Sequence, residues 1–171
     1  MDTFAEQLVY KYPSSKDNAK KFLIYAVAII LAFITIILTL PTWLGGFGLV
    51  LAGGIAWLGY FLGTKQYVEY EYIITNGEID IDKIVAKSKR TRLITVKVSD
   101  FTAYGPLTDD VQDDDNLTLV LASENTGVDD WYADFDNDAY GKTRLIFTPN
   151  SQFRECINPH LKNGLRLKKN S

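Results

Sequence analysis

The chain has 171 residues and a formal net charge of -3, with 18 Lys and Arg against 21 Asp and Glu. A nucleic-acid-binding domain normally carries a basic excess, so the composition predicts no nucleic-acid partner. With one cysteine and one histidine, the chain can form neither an intramolecular disulfide nor a zinc cage of Cys and His ligands.

Cys156 and His160 are spaced four residues apart, which places them on one face of a helix. A catalytic dyad would use His160 as the base. No orienting motif surrounds the two residues, so we expect them to lie near the apolar side of a C-terminal helix.

Two apolar runs predict a membrane hairpin. Residues 22–40 form a run of 19 residues, and residues 43–63 form a second run of 21 after Pro41 and Thr42. About 20 apolar helical residues cross a hydrocarbon core of about 30 Å. A buried soluble helix would explain one such run but not two in tandem. A signal peptide would show a small-residue cleavage site followed by a polar start, whereas here the first run is followed by another apolar run. We therefore predict two transmembrane helices.

Lysines predict the orientation of this hairpin, because Lys and Arg flanking a span favour the cytosol. The turn between the runs is uncharged, so both termini should be cytosolic and the protein should lie in the plasma membrane. The lysines concerned are Lys11, Lys16, Lys20 and Lys21 before the first run and Lys65 after the second.

Small residues predict how the two helices pack, since they let helix backbones approach closely in lipid. Counting outward from Thr42, Ala28 should meet Ala56, and Ala32 should meet Ala52. Gly48 extends this seam on the second helix, and the Gly59/Gly63 pair is available to a second copy. Neither run contains an ionisable residue, which argues against a proton relay or an ion pathway.

The N-terminal segment predicts a short amphipathic helix. Thr3 and Glu6 have capping-box spacing, and Phe4, Leu8 and Val9 follow at helical spacing. We place this segment at residues 1–21, the membrane hairpin at 22–63 and a cytosolic domain at 64–171.

The sequence pattern of the cytosolic domain predicts antiparallel strands. Apolar residues alternate with polar ones from residue 68, and Asn76-Gly77 is typical of a two-residue type I′ hairpin turn. The phase slips at Asp82-Lys83, which predicts a bulge, and Lys89-Arg90 should form the next turn. Further strands are expected at 93–98, 101–104, 117–122, 131–135 and 143–148, and Thr148-Pro149 should begin a closing helix.

Several motifs mark a resemblance. They are "Y-x-IT-NG-x-I", the basic second hairpin, "I-x-V-x-V-x-x-F", "MDTFAEQLV", "YADF" and "YGKTRLIFTPN". With them the chain resembles a family of small Firmicutes membrane proteins that carry a bacterial pleckstrin-homology-like (PH-like) domain after a two-helix hairpin. The resemblance implies a mostly-β barrel or sandwich of about seven antiparallel strands with a C-terminal capping helix, and it implies no activity.

The basic hairpin is the first candidate site. Each cation near an anionic leaflet contributes about 1 kcal/mol, so four of them could dock this face on lipid. A solvated hairpin tip is the alternative, and it is the more frequent one. The four residues are Lys87, Lys89, Arg90 and Arg92.

An acidic half is the second candidate, with twelve Asp and Glu and no Lys or Arg between residues 98 and 141. Asp134, Asp136 and Asp138 alternate like the start of a calcium loop, but Ala139 and Leu145 stand where the loop needs glycine and glutamate. We therefore expect no metal and no cofactor. The aromatic residues of this half should fill the core or line a peptide groove: Trp131, Tyr132, Phe135 and Tyr140.

These observations favour a membrane-anchored, non-enzymatic interaction module that binds the bilayer and either another protein or itself. An anionic-lipid sensor using the basic hairpin is the second hypothesis. A metal-dependent hydrolase using the acidic loops is the third, although no catalytic motif supports it.

Overall fold

The computed structural model describes residues 2–111 and 116–166. The chain divides into two compact units. Residues 13–67 form a helical hairpin, whereas the residues up to Tyr12 and from Val68 onward form a sheet domain. The sheet domain is therefore discontinuous in sequence, because the helical unit is inserted into it.

The hairpin consists of α1 (Ser15–Thr39) and α2 (Gly45–Thr64). Ser14 caps α1 and forms a capping box with Asp17, so α1 begins seven residues before the apolar run. Both helices are long and apolar enough to cross a membrane. The connection is longer than the Pro41-Thr42 turn predicted from the sequence, since residues 40–44 lie outside both helices.

The first sheet has the order β1-β2-β3-β4, and every neighbouring pair is antiparallel. Its strands are β1 (Phe4–Tyr10), β2 (Val68–Thr75), β3 (Glu78–Val85) and β4 (Lys89–Lys97). Asn76 and Gly77 join β2 to β3 with φ angles of 49° and 84°. Both are left-handed, as a type I′ turn requires, so the predicted hairpin is confirmed.

The predicted N-terminal helix was wrong, because this segment is strand β1. It pairs with β2 in a register that runs from Phe4 opposite Thr75 to Tyr10 opposite Glu69. Ala5 and Val9 are buried, whereas Leu8 is 45% exposed. A spacing of four residues fits the helical period and the strand period alike, so the apolar pattern is ambiguous. Pairing with β2 decides the outcome, because it satisfies the backbone groups of both strands.

A register shift lies between Ile81 and Asp82, next to the bulge predicted at Asp82-Lys83, but the additional residue is not on β3. The extra residue is Leu93 on β4, since Ile81 faces Ile94 while Asp82 faces Arg92. The turn expected at Lys89-Arg90 instead spans residues 86–88. Lys89 and Arg90 are the first two residues of β4.

The second sheet has the order β5-β7-β8-β6, in which β6 runs parallel to β8 and the other pairs are antiparallel. Its strands are β5 (Ala103–Pro106), β6 (Thr118–Leu121), β7 (Trp131–Asn137) and β8 (Gly141–Phe147). The described part of the chain contains eight strands where about seven were expected, and the additional one is β1. Three residues of the acidic half, Asp113, Asp114 and Asp115, lie outside the described residues.

The closing helix α3 spans Ser151–Ile157 and begins later than predicted. Asn150 is its N-cap and accepts a hydrogen bond from the backbone N–H of Phe153 at 2.8 Å. The expected cap, Thr148, instead donates its hydroxyl to Asp130 at 2.7 Å. A short 3₁₀ turn, Asn158–His160, follows α3 and contains Pro159.

Tyr72 lies at the centre of the core between the two sheets and α3. Its ring contacts Phe147 and Phe153 edge-on, with ring centroids 5.8 Å apart in both cases. Its hydroxyl donates to the carbonyl oxygen of Ala122 and accepts from the backbone N–H of Thr148 at 3.3 Å. Burial raises the pKa of Tyr72 far above its ordinary value, because a phenolate there would lose its hydration. This polar contact joins β2 to the C-terminal ends of β6 and β8, which are neighbouring strands of the second sheet.

Candidate functional site

The predicted basic residues do not form one hairpin tip. Lys87 lies in the turn between β3 and β4 with a φ of 56°, beside Ala86 at 52°. A left-handed conformation costs a non-glycine residue about 1–2 kcal/mol, so this turn is strained. Lys89, Arg90 and Arg92 lie on β4 itself, and all three are exposed.

The two arginines are held by acidic side chains on the neighbouring strands. Arg90 donates to Glu71 at 2.7 Å and lies 3.8 Å from Asp82. Arg92 donates to both Asp82 and Asp80. The hydrogen bond that Arg92 donates to Asp82 raises the pKa of Arg92, and the guanidinium stays charged at any physiological pH.

This arrangement offsets the positive charge of the two arginines. Glu71 and Asp82 are 8% and 5% exposed, and one oxygen of Glu71 has no hydrogen-bond partner among the described atoms. A buried carboxylate deprived of its cation is strongly destabilising, so these arginines have a structural task. Two arginine charges face three carboxylates, counting Asp80, which lowers the attraction of this face for an anionic leaflet.

These acidic partners were missed in the sequence, although a signal was present. Asp80 and Asp82 alternate on β3, and Arg90 and Arg92 alternate on β4. Once the hairpin is aligned, residues of opposite charge lie across from one another, as Asp82 and Arg92 do. The one-residue bulge at Leu93 had to be placed on β4 for that pairing to emerge.

The helix seam differs from the prediction by about one turn. Ala28 lies against Gly59 and not against Ala56, and a side chain at Gly59 would overlap that of Ala28. Gly48 meets Thr39 in the same way, and Gly63 meets Tyr25. Gly59 and Gly63 therefore pack within the hairpin, and the proposal that they meet a second copy was wrong.

Helix geometry explains this shift. Each residue turns an α-helix by about 100°, so Ala56 is rotated by about 80° from Gly48, whereas Gly59 is rotated by only about 20°. Ala52 is buried as predicted, and Ala56 is exposed. Ala28 and Ala32, the predicted seam residues of α1, are both half-buried.

The acidic half uses one of its carboxylates in an ion pair. Asp134 on β7 receives two hydrogen bonds from Arg144 on β8, at 2.7 and 2.8 Å. The ring of Tyr132 lies over the same guanidinium, 5.1 Å from its centroid. Within residues 2–111 and 116–166, no three His, Cys, Asp or Glu side chains are grouped so that they could hold a metal ion.

The aromatic residues of this half have separate environments. Phe135 is buried and stacks on Phe101, and Trp131 lies against Tyr104 with 5.1 Å between centroids. Burial raises the pKa of Tyr104 well above its ordinary value. Tyr140 is 54% exposed. The four predicted aromatics therefore do not line one groove.

Cys156 and His160 both face the start of β1. The thiol of Cys156 lies 3.8 Å from the carbonyl oxygen of Phe4, and Nε2 of His160 is hydrogen-bonded to the hydroxyl of Thr3 at 2.8 Å. The His160 ring also covers the turn at Gly77, where an added side chain would meet it. These contacts fasten the first strand to the C-terminal part of the domain.

The fold agrees with a comparison against known families. The chain matches a family described as "Bacterial PH-like domain (DUF6106)" over residues 1–166. The chain belongs to this bacterial PH-like family. No curated protein and no solved structure matches it. The matched range includes β1 and the helical hairpin as well as the rest of the sheet domain.

Proposed function

We propose that this member of the PH-like family is a membrane-anchored, non-enzymatic interaction module that presents its sheet domain at the inner face of the plasma membrane. The observation that carries this proposal is the position of the anchor. The helical hairpin is inserted between β1 and β2, which are neighbouring strands of one sheet. Both ends of the anchor therefore lead into the same folded domain.

This connectivity favours an even number of membrane crossings. A sheet containing both β1 and β2 folds on one side of a bilayer, so the chain must leave and return on that side. Two apolar helices meet this requirement. Lysines at positions 11, 16, 20, 21 and 65 flank the helix ends that join the sheet domain, and this pattern favours a cytosolic location.

An interaction role is favoured by the chemistry of the sheet domain. The single cysteine and the single histidine contact the start of the N-terminal strand segment, at Phe4 and Thr3. The buried carboxylates of Glu71, Asp82 and Asp130 are paired with Arg90, Arg92 and Thr148. These groups stabilise the fold, which leaves exposed apolar strands and surfaces as the means of recognition.

The experiment is crosslinking and affinity purification of the full-length tagged chain from native membranes. We expect a protein partner or a homo-oligomer that is recovered reproducibly, and that a hairpin-only fusion of residues 13–67 fails to recover. Recovery of neither would contradict the interaction role. A C-terminal reporter that is active only outside the cytosol would contradict the proposed orientation.

Lipid sensing by the basic residues is the second candidate, supported by the exposure of Lys89 on β4 and by the lysine at the strained turn. Its test uses the sheet domain, with residues 2–12 joined to 68–171, and vesicles of anionic or neutral lipid. Salt-sensitive flotation that is lost when Lys87 and Lys89 become glutamine supports this role. Flotation that is equal with both lipids contradicts it.

A further inference from the structure

Strand β6 ends the second sheet with an open edge. It pairs with β8 on one side only, and it is the last strand in the order β5-β7-β8-β6. Leu119 and Leu121 are 54% and 59% exposed. A cleft of about 260 Å³ lies beside β6, bordered by Leu93 and Tyr140. An exposed apolar edge strand is a template for pairing with another strand.

The backbone groups at this edge follow from the register with β8. The N–H of Ala122 donates to the carbonyl oxygen of Ile146 at 2.8 Å, and β6 runs parallel to β8. The backbone N–H and C=O groups of alternate residues point to the same neighbouring strand, so those of Val120 also point to β8. The N–H and C=O groups of Leu119 and Leu121 therefore point to the open edge, where the described residues provide no neighbouring strand.

A second β6 is complementary to this edge in one register. When the two strands run antiparallel, Leu119 lies opposite Leu121 of the second copy, and the reverse pair follows by symmetry. Each of these two pairs exchanges two hydrogen bonds, and Val120 lies on the two-fold axis opposite itself. The same face then gathers four exposed leucines.

The charge pattern permits this pairing of identical strands. Residues 116–123 contain no charged side chain, although the surrounding half of the domain is rich in Asp and Glu. Identical charges placed opposite one another would repel, and here none meet within the strand.

The contact area indicates where such pairing would be stable. Two four-residue strands bury far less than the roughly 800 Å² per partner of a standard interface, so pairing in dilute solution should be weak. Anchoring both copies in one membrane raises their effective concentration and compensates for the small area. A membrane-anchored domain suits a self-pairing edge of this size.

We propose that β6 pairs with β6 of a second copy, antiparallel and centred on Val120, when both copies are anchored in one membrane. This inference rests on the proposed function and names its partner. It joins the two second sheets into one continuous sheet across the two-fold axis.

Cysteine crosslinking of the full-length chain in native membranes tests this register. In a Cys156→Ser background, Val120→Cys should form a disulfide dimer on mild oxidation, because the opposed Cα atoms would lie about 4.5 Å apart. Leu119→Cys is the matched control. Its two copies would lie more than about 7 Å apart, too far for a disulfide, so we expect about tenfold less dimer.

A charge pair tests the same register without relying on one cysteine position. With Val120→Cys present, Leu119→Lys combined with Leu121→Lys should abolish the crosslink, because lysines would face lysines. Leu119→Lys combined with Leu121→Glu should retain it, because each lysine would face a glutamate. Both positions are exposed, so neither combination should prevent folding.

The outcomes separate this inference from the proposed function. Equal crosslinking at positions 119 and 120, or equal loss in both charge combinations, overturns the β6 pairing. If Val120→Cys gives no dimer while amine-reactive crosslinking of the same membranes still recovers a partner, the pairing is overturned and the interaction role stands. If neither crosslink recovers a partner, both proposals fail.

Discussion

The helical hairpin and the sheet domain are stabilised by different means. In the hairpin, glycines on α2 lie against side chains of α1, and the fit depends on the absence of a Cβ at Gly48, Gly59 and Gly63. In the sheet domain, large side chains fill the core, and buried polar groups are paired across strands distant in sequence. Packing of the hairpin therefore depends on helix phase, whereas the sheet domain depends on residues 2–12 finding their partner strand after residue 68.

The largest effect is expected for a charge placed on the core side of β1. Val9 is 1% exposed, so Val9→Asp buries an unpaired carboxylate and should lower the free energy of unfolding by about 3 kcal/mol or more. Thermal or denaturant unfolding of the sheet domain measures this change.

Leu8→Lys is the control, because Leu8 is the neighbouring residue and faces outward, and a lysine there would lie across from the carboxylate of Glu71. It should change the free energy of unfolding by less than about 0.5 kcal/mol. If the two variants are equally stable, β1 is not a strand of the core. If Leu8→Lys is the more damaging variant, the inward and outward faces of β1 are reversed.

Removing the hydroxyl of Tyr72 should have a smaller effect. Tyr72→Phe leaves the carbonyl of Ala122 and the N–H of Thr148 without their partner, which should cost about 1–3 kcal/mol. Tyr140→Phe serves as the control, because Tyr140 is exposed and its change should be close to zero.

The raised pKa of Tyr72 also predicts a dependence on pH. The tyrosine deprotonates in the unfolded chain near pH 10 but stays protonated in the folded domain, so the unfolded state binds fewer protons above that pH. Its stabilising contribution is complete below about pH 10 and is lost as the pH rises further. Denaturant unfolding between pH 8 and 11 should show this loss, and Tyr72→Phe should reduce its slope.

A comparable or smaller effect is expected in the hairpin. Gly59→Val places a side chain where Ala28 lies and should weaken helix–helix packing by about 1–3 kcal/mol. Ala56→Val changes the residue that the sequence pattern placed in the seam, and it should have little effect because Ala56 is exposed. The two variants are compared by unfolding each in detergent and monitoring the unfolding through fluorescence energy transfer between the helix ends. A larger loss for Ala56→Val would restore the predicted seam.

Local patterns were sufficient to predict the hairpin, the Asn76-Gly77 turn and most strands, because each depends on neighbouring residues. The strand character of β1 could not be predicted in this way, since Ala5 and Val9 fit both periods and the partner strand lies beyond residue 67. The same limitation hid the acidic partners of Arg90 and Arg92. The prediction of the helix seam failed for a geometric reason. Counting residues outward from the turn matches depth along the helix axis but ignores the rotation of each residue about that axis.

The central claim is that one PH-like domain is interrupted by its membrane anchor. Lys11 donates its backbone N–H to Val68 at 3.1 Å, so a linker of about four residues can replace residues 13–67 and still span the gap. The direct measurement compares unfolding of this joined chain with that of residues 68–171 alone. We predict that the joined chain is soluble and unfolds cooperatively, and that residues 68–171 alone do not. Equal unfolding midpoints for the two would contradict the account.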